Sequence, residues 1–146
     1  MARNQNVNRQ HFVAPYSATT PRASDYLRLA KYITNISPNN EEETESEAYY
    51  HGDGTPETIV ISVSKGYDVE GYYDPADEAQ ALIAGLELKT LDDRKIWHKV
   101  VSADGTTTFE GTATLVDIIC GGGEASDFEE FSCTIKYNQI PSVRNA

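Results

Sequence analysis

The chain has 146 residues, a net charge of −11 and 24% charged residues, which fits one globular domain with an acidic surface. Such a surface repels nucleic acid instead of gripping it. No apolar run approaches the roughly 20 residues needed to cross a bilayer, and the amino-terminal segment lacks the apolar centre of a signal peptide. We therefore expect the protein to stay in the cytoplasm of the cell that makes it.

The first 24 residues are rich in Asn, Gln, Ser and Thr, and they show no hydrophobic period. This composition predicts an extended arm over residues 1–24, followed by a single domain over residues 25–146. The next segment, YLRLAKYITNI (26–36), has apolar and β-branched residues at alternate positions, which predicts a first strand. A short helix capped by Ser24 is the alternative for its first residues.

A long acidic segment occupies residues 38–56, with five glutamates between positions 41 and 47, two tyrosines and a turn at Asp53-Gly54. Carboxylates among small polar neighbours favour a solvated loop. The segment has too little apolar area to offset its own ordering entropy in a monomer. It is therefore either a disordered loop without a partner or a loop that becomes ordered against another molecule.

The segments that follow predict a strand and then a helix. ETIVISVSKGYDVEGYY (57–73) indicates a long strand, because β-branched residues alternate along its first half. DPADEAQALIAGLEL (74–88) predicts a helix, with Asp74 as the N-cap and Pro75 at the first helical position. An apolar stripe on this helix should dock against a sheet; it consists of Ala79, Leu82, Ile83 and Leu86.

Three further strands are predicted in the last third of the chain: RKIWHKVVS (94–102), TTTFEGTATLVDII (106–119) and DFEEFSCTIKYNQI (127–140). Asp104-Gly105 is a hairpin turn signal between the first two. Three consecutive glycines, 121–123, predict a flexible loop before the last strand. Together these segments predict a mainly β protein with antiparallel sheets and one helix.

The sequence carries no motif for catalysis or for metal binding. His11, His51 and His98 lie far apart, and none has a partner at metal-ligand spacing. His98 alternates with apolar residues, which predicts a histidine in the core or at an interface. Cys120 and Cys133 lack a CxxC spacing and should be reduced thiols. We therefore expect no catalytic residue, no metal and no cofactor, and we do not expect an enzyme.

The order of the segments is informative as a whole. It runs from ITNIS through the acidic segment and a DG turn to TIVISVS, then to GYYDPADEAQALIAGLE and the hairpin ADGTTTFEGTATLVDI. This order resembles that of the tail tube (major tail) proteins of siphophages, the bacteriophages with long non-contractile tails. Type VI secretion tube proteins have the same fold, so the fold alone does not separate the two.

The resemblance implies a β-barrel or sandwich of two antiparallel sheets flanked by an α-helix, and a structural role in the virion tail. Six copies would form a ring, and stacked rings would form a tube assembled in the host bacterial cytoplasm. The tube would hold a tape measure protein in its lumen and pass genomic DNA without binding it specifically. A tail terminator and tail tip proteins would meet its ends.

The resemblance also places the loop 38–56 against the adjacent ring. The residues expected there are Glu41, Glu42, Glu43, Glu45, Glu47, Tyr49, Tyr50, His51 and Asp53. Arg3, Arg9 and Arg22 of the arm, together with Arg28, would pair with these glutamates between copies. Two alternatives remain open: a glycan- or receptor-binding β-sandwich that uses its tyrosines for recognition, and a tail terminator or secretion-tube protein.

Overall fold

The computed structural model describes residues 3–145, so residues 1–2 of the predicted arm and residue 146 of the predicted domain lie outside the described part. The strands in this part are β1 (Gln10–Pro15), β2 (Leu27–Arg28), β3 (Ile33–Pro38), β4 (Glu41–Glu47), β5 (Glu57–Ser64), β6 (Gly66–Tyr72), β7 (Lys95–Val101), β8 (Thr107–Cys120), β9 (Glu130–Tyr137) and β10 (Ser142–Asn145). The α-helix, α1 (Glu78–Ala84), lies between β6 and β7, and three short 3-10 turns start at residues 6, 23 and 91.

Eight of the strands form one curled antiparallel sheet in the order β2-β1-β7-β8-β9-β6-β3. The long strand β8 has two partners on one side, because β9 pairs with its residues 113–120 and β10 pairs with its residues 107–110. The second sheet is a two-stranded ribbon made of β4 and β5. The predicted fold class, mainly β with one helix, is confirmed.

The core lies on one face of the curled sheet and follows the period of two that the sequence shows. In β7 the side chains of Ile96, His98 and Val100 are buried, and in β9 every second residue from Phe131 to Tyr137 is buried. Alternate side chains of a strand point to opposite faces, so these two strands each have one buried face. Helix α1 covers part of the core by packing against β1, β2 and β8.

The helix begins three residues later than the sequence predicts. Asp77 is the N-cap, and its carboxylate accepts a hydrogen bond from the backbone N of Gln80 at 3.2 Å. The predicted cap, Asp74, instead accepts from the backbone N of Ala76 at 3.0 Å. This turn satisfies the Asp74 side chain locally and places Pro75 before the helix, which is why the choice of N-cap was wrong.

A buried glutamine secures the turn before the helix. The Nε2 of Gln80 donates to the carbonyl oxygens of Lys31 at 2.9 Å and Tyr72 at 3.0 Å, and its Oε1 accepts from the backbone N of Asp74 at 2.7 Å. The sequence pattern predicted the apolar stripe of the helix but not the buried glutamine. In that stripe Ala79 and Ile83 are buried. Leu82 and Leu86 are partly buried and pack against the core.

The amino-terminal segment is not an arm along its whole length. Residues 10–15 form β1, which lies between β2 and β7 within the main sheet, and Val13 and Ala14 are fully buried. The prediction was wrong here because polar residues and prolines on both sides hide a six-residue strand. The predicted first strand, 26–36, is divided into β2 and β3 by a turn at which Tyr32 has a φ of 60°.

A buried carboxylate ties the last strand, which the sequence did not predict, to the sheet. Glu110 in β8 accepts a hydrogen bond from the hydroxyl of Tyr26 at 2.6 Å, and the guanidinium of Arg144 in β10 lies 3.1 Å from its other oxygen. The hydroxyl of Ser142 donates to the backbone oxygen of Glu110 at 3.0 Å. The carboxylate is buried with both oxygens satisfied, as a buried charge requires.

Candidate assembly interface

The acidic segment is a strand and not the solvated loop that the sequence predicts. Residues 41–47 form β4, which pairs antiparallel with β5 along its whole length. Most of the glutamates face a β-branched residue or a serine across the ribbon, and only Glu47 faces another acid, Glu57. Like charges directly opposite each other are therefore almost avoided, so the strong β-forming sequence of β5 holds the acidic residues in an extended strand.

The predicted long strand over residues 57–73 is two strands in different sheets. Its second half, β6, pairs with β3 and β9 in the main sheet, whereas its first half, β5, pairs only with β4. Every residue of both ribbon strands is exposed. The apolar side chains of β5 keep about half of their surface in solvent: Ile59 47%, Val60 49%, Ile61 58% and Val63 47%.

The two faces of the ribbon differ in character. Since successive side chains of a strand point to opposite faces, one face carries the odd-numbered glutamates of β4, with Glu57 opposite Glu47. The other face carries one glutamate and two hydroxyl residues of β4 together with their partners in β5. The facing pairs are Glu42–Val63, Thr44–Val60 and Ser46–Thr58. The register shifts between Glu43 and Thr44, which leaves Ile61 as an extra residue in β5 and marks a β-bulge.

Aromatic residues are exposed at the tip of the ribbon, residues 48–56. Tyr49 stacks on His51 with 5.6 Å between the ring centroids, and Tyr50 is fully exposed. The carboxylate of Asp53 accepts from the backbone N of Thr55 at 2.9 Å, which orders the turn and lowers the pKa of Asp53. The tip therefore presents one stacked pair and one free tyrosine to solvent.

The glutamates of the ribbon and the amino-terminal arginines expected at an interface have no ion-pair partner within residues 3–145. The ion pairs among residues 3–145 are Lys31–Asp74, Lys95–Asp92 and Arg144–Glu110. None of them includes a ribbon glutamate or one of the amino-terminal arginines Arg3, Arg9 and Arg22. Pairing of these groups between copies stays a prediction.

The structure brings together two histidines that are far apart in the sequence. The Nδ1 of His11 lies 3.4 Å from the Nε2 of His98, and the Nδ1 of His98 lies 2.5 Å from the hydroxyl of Tyr137. Burial lowers the pKa of His11 to about 4 and holds the pKa of His98 well below its ordinary value. A neutral network in which the hydroxyl of Tyr137 donates to the Nδ1 of His98, and the Nε2 of His98 donates to the Nδ1 of His11, accounts for both contacts.

This histidine pair is part of the buried core. Its neighbour Tyr67 contacts both imidazoles edge-on or tilted, with ring centroids 5.1 and 5.4 Å away. No group of three or more His, Cys, Asp or Glu side chains within residues 3–145 is placed to hold a metal ion. The sequence predicted His98 in the core or at an interface, and the structure places it in the core. The burial of His11 was not predicted, because β1 was not predicted.

The thiols and the helix add no reactive or membrane-spanning element. Burial raises the pKa of Cys120 to about 11 and that of Cys133 to about 12, so neither is a reactive thiolate near neutral pH. Within residues 3–145 no helix combines the length and the hydrophobicity that a membrane span requires. What the described surface does offer is the exposed ribbon.

Comparisons with known proteins agree with this architecture. A chain from the tail of an empty gene transfer agent particle, determined with C6 symmetry, superposes with a TM-score of 0.73 at 13% identity, covering 99% of this chain and 100% of its own. A chain from the virion of a native gene transfer agent particle gives 0.69 at 12% identity, with 97% and 98% covered. The anti-feeding prophage cap, which terminates a tube, gives 0.56 at 12% identity, with 100% and 93% covered.

Neither the protein-family models nor the curated proteins give a match to the sequence. At 12–13% identity the structural matches show the fold, and they show it over nearly the whole length of the chain. The chain has the fold of phage-type tail and tube proteins, so the resemblance that the sequence suggested is confirmed at the level of the fold.

Proposed function

We propose that this chain is the subunit of a tail tube that assembles as hexameric rings stacked around a conduit for DNA. The proposal is supported by the end-to-end similarity to a chain from a tail with C6 symmetry. The neighbours belong to structural tail assemblies, which favours a structural role over an enzymatic one.

The observation that carries the proposal is the ribbon of β4 and β5, which is exposed on both faces. A two-stranded ribbon is marginally stable by itself in water. Its four apolar side chains expose 47–58% of their surface, and burying a side chain of this size completely contributes roughly 1.5–3 kcal/mol. Docking against a neighbouring ring would bury this area, and it would give the glutamates and the tip tyrosines a partner.

The charge of the chain suits a conduit. A lumen lined by lysine and arginine would bind the phosphates of DNA, whereas a subunit with a net charge of −11 repels them. In this function the partners are further copies of the chain, a tape measure protein in the lumen, and tail terminator and tip proteins at the ends. The location is the virion tail, after assembly in the host bacterial cytoplasm.

Replacing the ribbon tests the proposal. Glu41 and Ser64 pair directly, so a two-residue Asn-Gly turn in place of residues 42–63 should close the base of the ribbon. We expect a folded monomer by circular dichroism and no tubes by negative-stain electron microscopy, under conditions in which the unaltered chain forms tubes.

The matched control replaces the exposed residues 123–127 with a Gly-Ser segment of equal length, and this variant should still form tubes. If the ribbon deletion unfolds the chain, the ribbon belongs to the core and the proposal loses its main support. An unaltered chain that stays monomeric at every concentration, and in the presence of a tail initiator, would rule the proposal out.

The similarity to a tube-terminating cap favours a second candidate, a protein that closes the end of a tube. A cap forms a single ring or a short stack, whereas a tube subunit polymerises into long tubes. The length distribution of the particles in the same micrographs separates the two.

A further inference from the structure

An open groove of about 530 Å³ lies between the amino-terminal residues leading into β1 and the strand β3. Its lining includes the apolar side chains of Val7, Ile33 and Ile36, and it also includes the exposed arginines Arg9 and Arg28. His11 and Tyr67 form its floor and are buried. The groove therefore combines apolar walls with two positive charges.

One wall of the groove is an unpaired strand edge. Among the described strands, β3 is the last in the order of the main sheet and pairs only with β6. A free edge presents a row of backbone N–H and C=O groups, which is a template for pairing with another strand. The groove can therefore accept an extended segment.

The two arginines have no acidic partner within residues 3–145. In a chain that carries 23 acidic and 12 basic side chains, a groove with two free guanidinium groups and no carboxylate in its lining is a local exception. It favours an extended segment that carries carboxylates.

We propose that this groove receives the acidic strand β4 of the ribbon from a second copy of the chain. This inference rests on the proposed tube function and names the surface that the ribbon contacts. The lengths are similar, since β3 has six residues and β4 has seven, which is about 20 Å and about 23 Å at roughly 3.3 Å per residue. The ribbon also supplies groups that complement both features of the groove, since it carries carboxylates for the arginines and apolar side chains of β5 that can cover the apolar walls.

The occupant is a second copy and not the ribbon of the same copy. Every residue of β4 and β5 is exposed, and none of them lines the groove. A nucleic acid fits less well, because its phosphates would be repelled by the acidic surface around the groove and would leave the apolar walls uncovered.

A charge-swap experiment tests the proposal in the full-length chain. Arg9→Glu/Arg28→Glu in the groove should raise the critical concentration for tube assembly at least about tenfold, and so should Glu43→Arg/Glu45→Arg in the ribbon. A chain carrying all four substitutions should recover assembly, because each attraction is restored with its signs exchanged. Lys89→Glu/Lys136→Glu changes the net charge by the same amount outside the groove and should leave the critical concentration within about twofold.

Cross-linking between two variants tests the contact without requiring tubes. Copies with Arg28→Cys are mixed with copies carrying Glu45→Cys, and a short bismaleimide is added. We expect heterodimers in the mixture and little dimer with either variant alone. The native thiols have raised pKa values of about 11 and about 12, so the introduced, exposed cysteines react first.

The outcomes separate the two proposals. If the Arg9→Glu/Arg28→Glu variant assembles normally, the groove does not receive β4 and this proposal is wrong. The proposed tube function is not affected by that result. If the unaltered chain never forms tubes, the tube function fails, and the cross-link alone then decides whether the groove binds the ribbon. If the groove variant assembles normally but loses binding of a fluorescent oligonucleotide, the groove binds nucleic acid and the proposal is wrong.

Discussion

The main sheet and the ribbon contain β-strands in opposite environments. In β9 the alternating residues from Phe131 to Tyr137 are buried, whereas β5, with its own run of β-branched residues, is exposed at every position. The difference lies in what covers each strand, because β9 pairs with β6 on one side and β8 on the other and packs on the core, whereas β5 pairs only with β4. A β-branched run therefore predicts a strand and leaves its burial undecided, and an exposed run points to a partner outside the monomer.

The largest effect should come from shortening a core side chain. Ile135 in β9 is fully buried, and Ile135→Ala should lower the free energy of unfolding of the monomer by about 2–5 kcal/mol, since it leaves a cavity. Urea unfolding followed by circular dichroism, below the concentration of assembly, measures this change. A loss under about 1 kcal/mol would mean that the main sheet is no better packed than the ribbon.

Lowering the pH should reduce the stability of the protein through the buried histidines of the core, and the exposed histidine of the ribbon should not contribute. The pKa of His11 is about 4 in the folded protein and near 6.5 when unfolded, so below pH 6.5 the unfolded chain binds the proton more readily. Between pH 6.5 and pH 4 this costs up to about 3 kcal/mol of stability, and His98, whose pKa is also lowered, adds to the loss. Above pH 6.5 the imidazole is neutral in both the folded and the unfolded chain, so the loss is absent.

Two variants isolate this effect in urea titrations at pH 7 and pH 4.5. His11→Gln should flatten the loss of stability in this range. His51→Gln at the exposed tip of the ribbon should leave the pH dependence unchanged. Equal curves for all three proteins would mean that the buried histidine pair does not govern acid stability.

A polar side chain in the core should matter more than its size suggests. Gln80→Leu keeps the volume and adds hydrophobicity, yet it removes the partners of three backbone groups around the helix. We expect a loss of about 2 kcal/mol in the free energy of unfolding. The control is Gln139→Leu on the surface, and a Gln80→Leu protein as stable as this control would show that water replaces the lost hydrogen bonds.

The smallest effect on the monomer should come from the ribbon. Ile61 keeps 58% of its surface exposed, so Ile61→Ala should change the free energy of unfolding of the monomer by less than about 0.5 kcal/mol. The same substitution should raise the critical concentration for tube assembly, measured by sedimentation. An unfolding change as large as that of Ile135→Ala would show that the ribbon is covered within its own copy.

Local patterns predicted the parts of the fold in which pattern and burial agree. The alternation in β7 and β9 and the apolar stripe of α1 all appear in the structure. β1 was missed because Val13 and Ala14 owe their burial to β7, which lies more than 80 residues away in the sequence. The same reason hid the contact between His11 and His98, since distance in the sequence carries no information about pairing in a sheet.

The ribbon shows the opposite limit of sequence reasoning. Its composition correctly indicates surface exposure, but the tendency of β5 to form a strand decides the conformation of the acidic residues opposite to it. The groove was not predicted either, because Arg9 and Arg28 lie on separate segments and share a surface only after β1 and β2 pair.

The extra residue at Ile61 determines which side chains of the ribbon point to the same face. In a regular strand, Val60 and Val63 would point in opposite directions because they are an odd number of positions apart; the bulge turns both toward the face shared with Thr44. A slip of one position would exchange the acidic side of the ribbon with its apolar side. The bulge thus fixes the register of β4 and β5, so the ribbon presents one acidic face and one apolar face when it contacts another molecule.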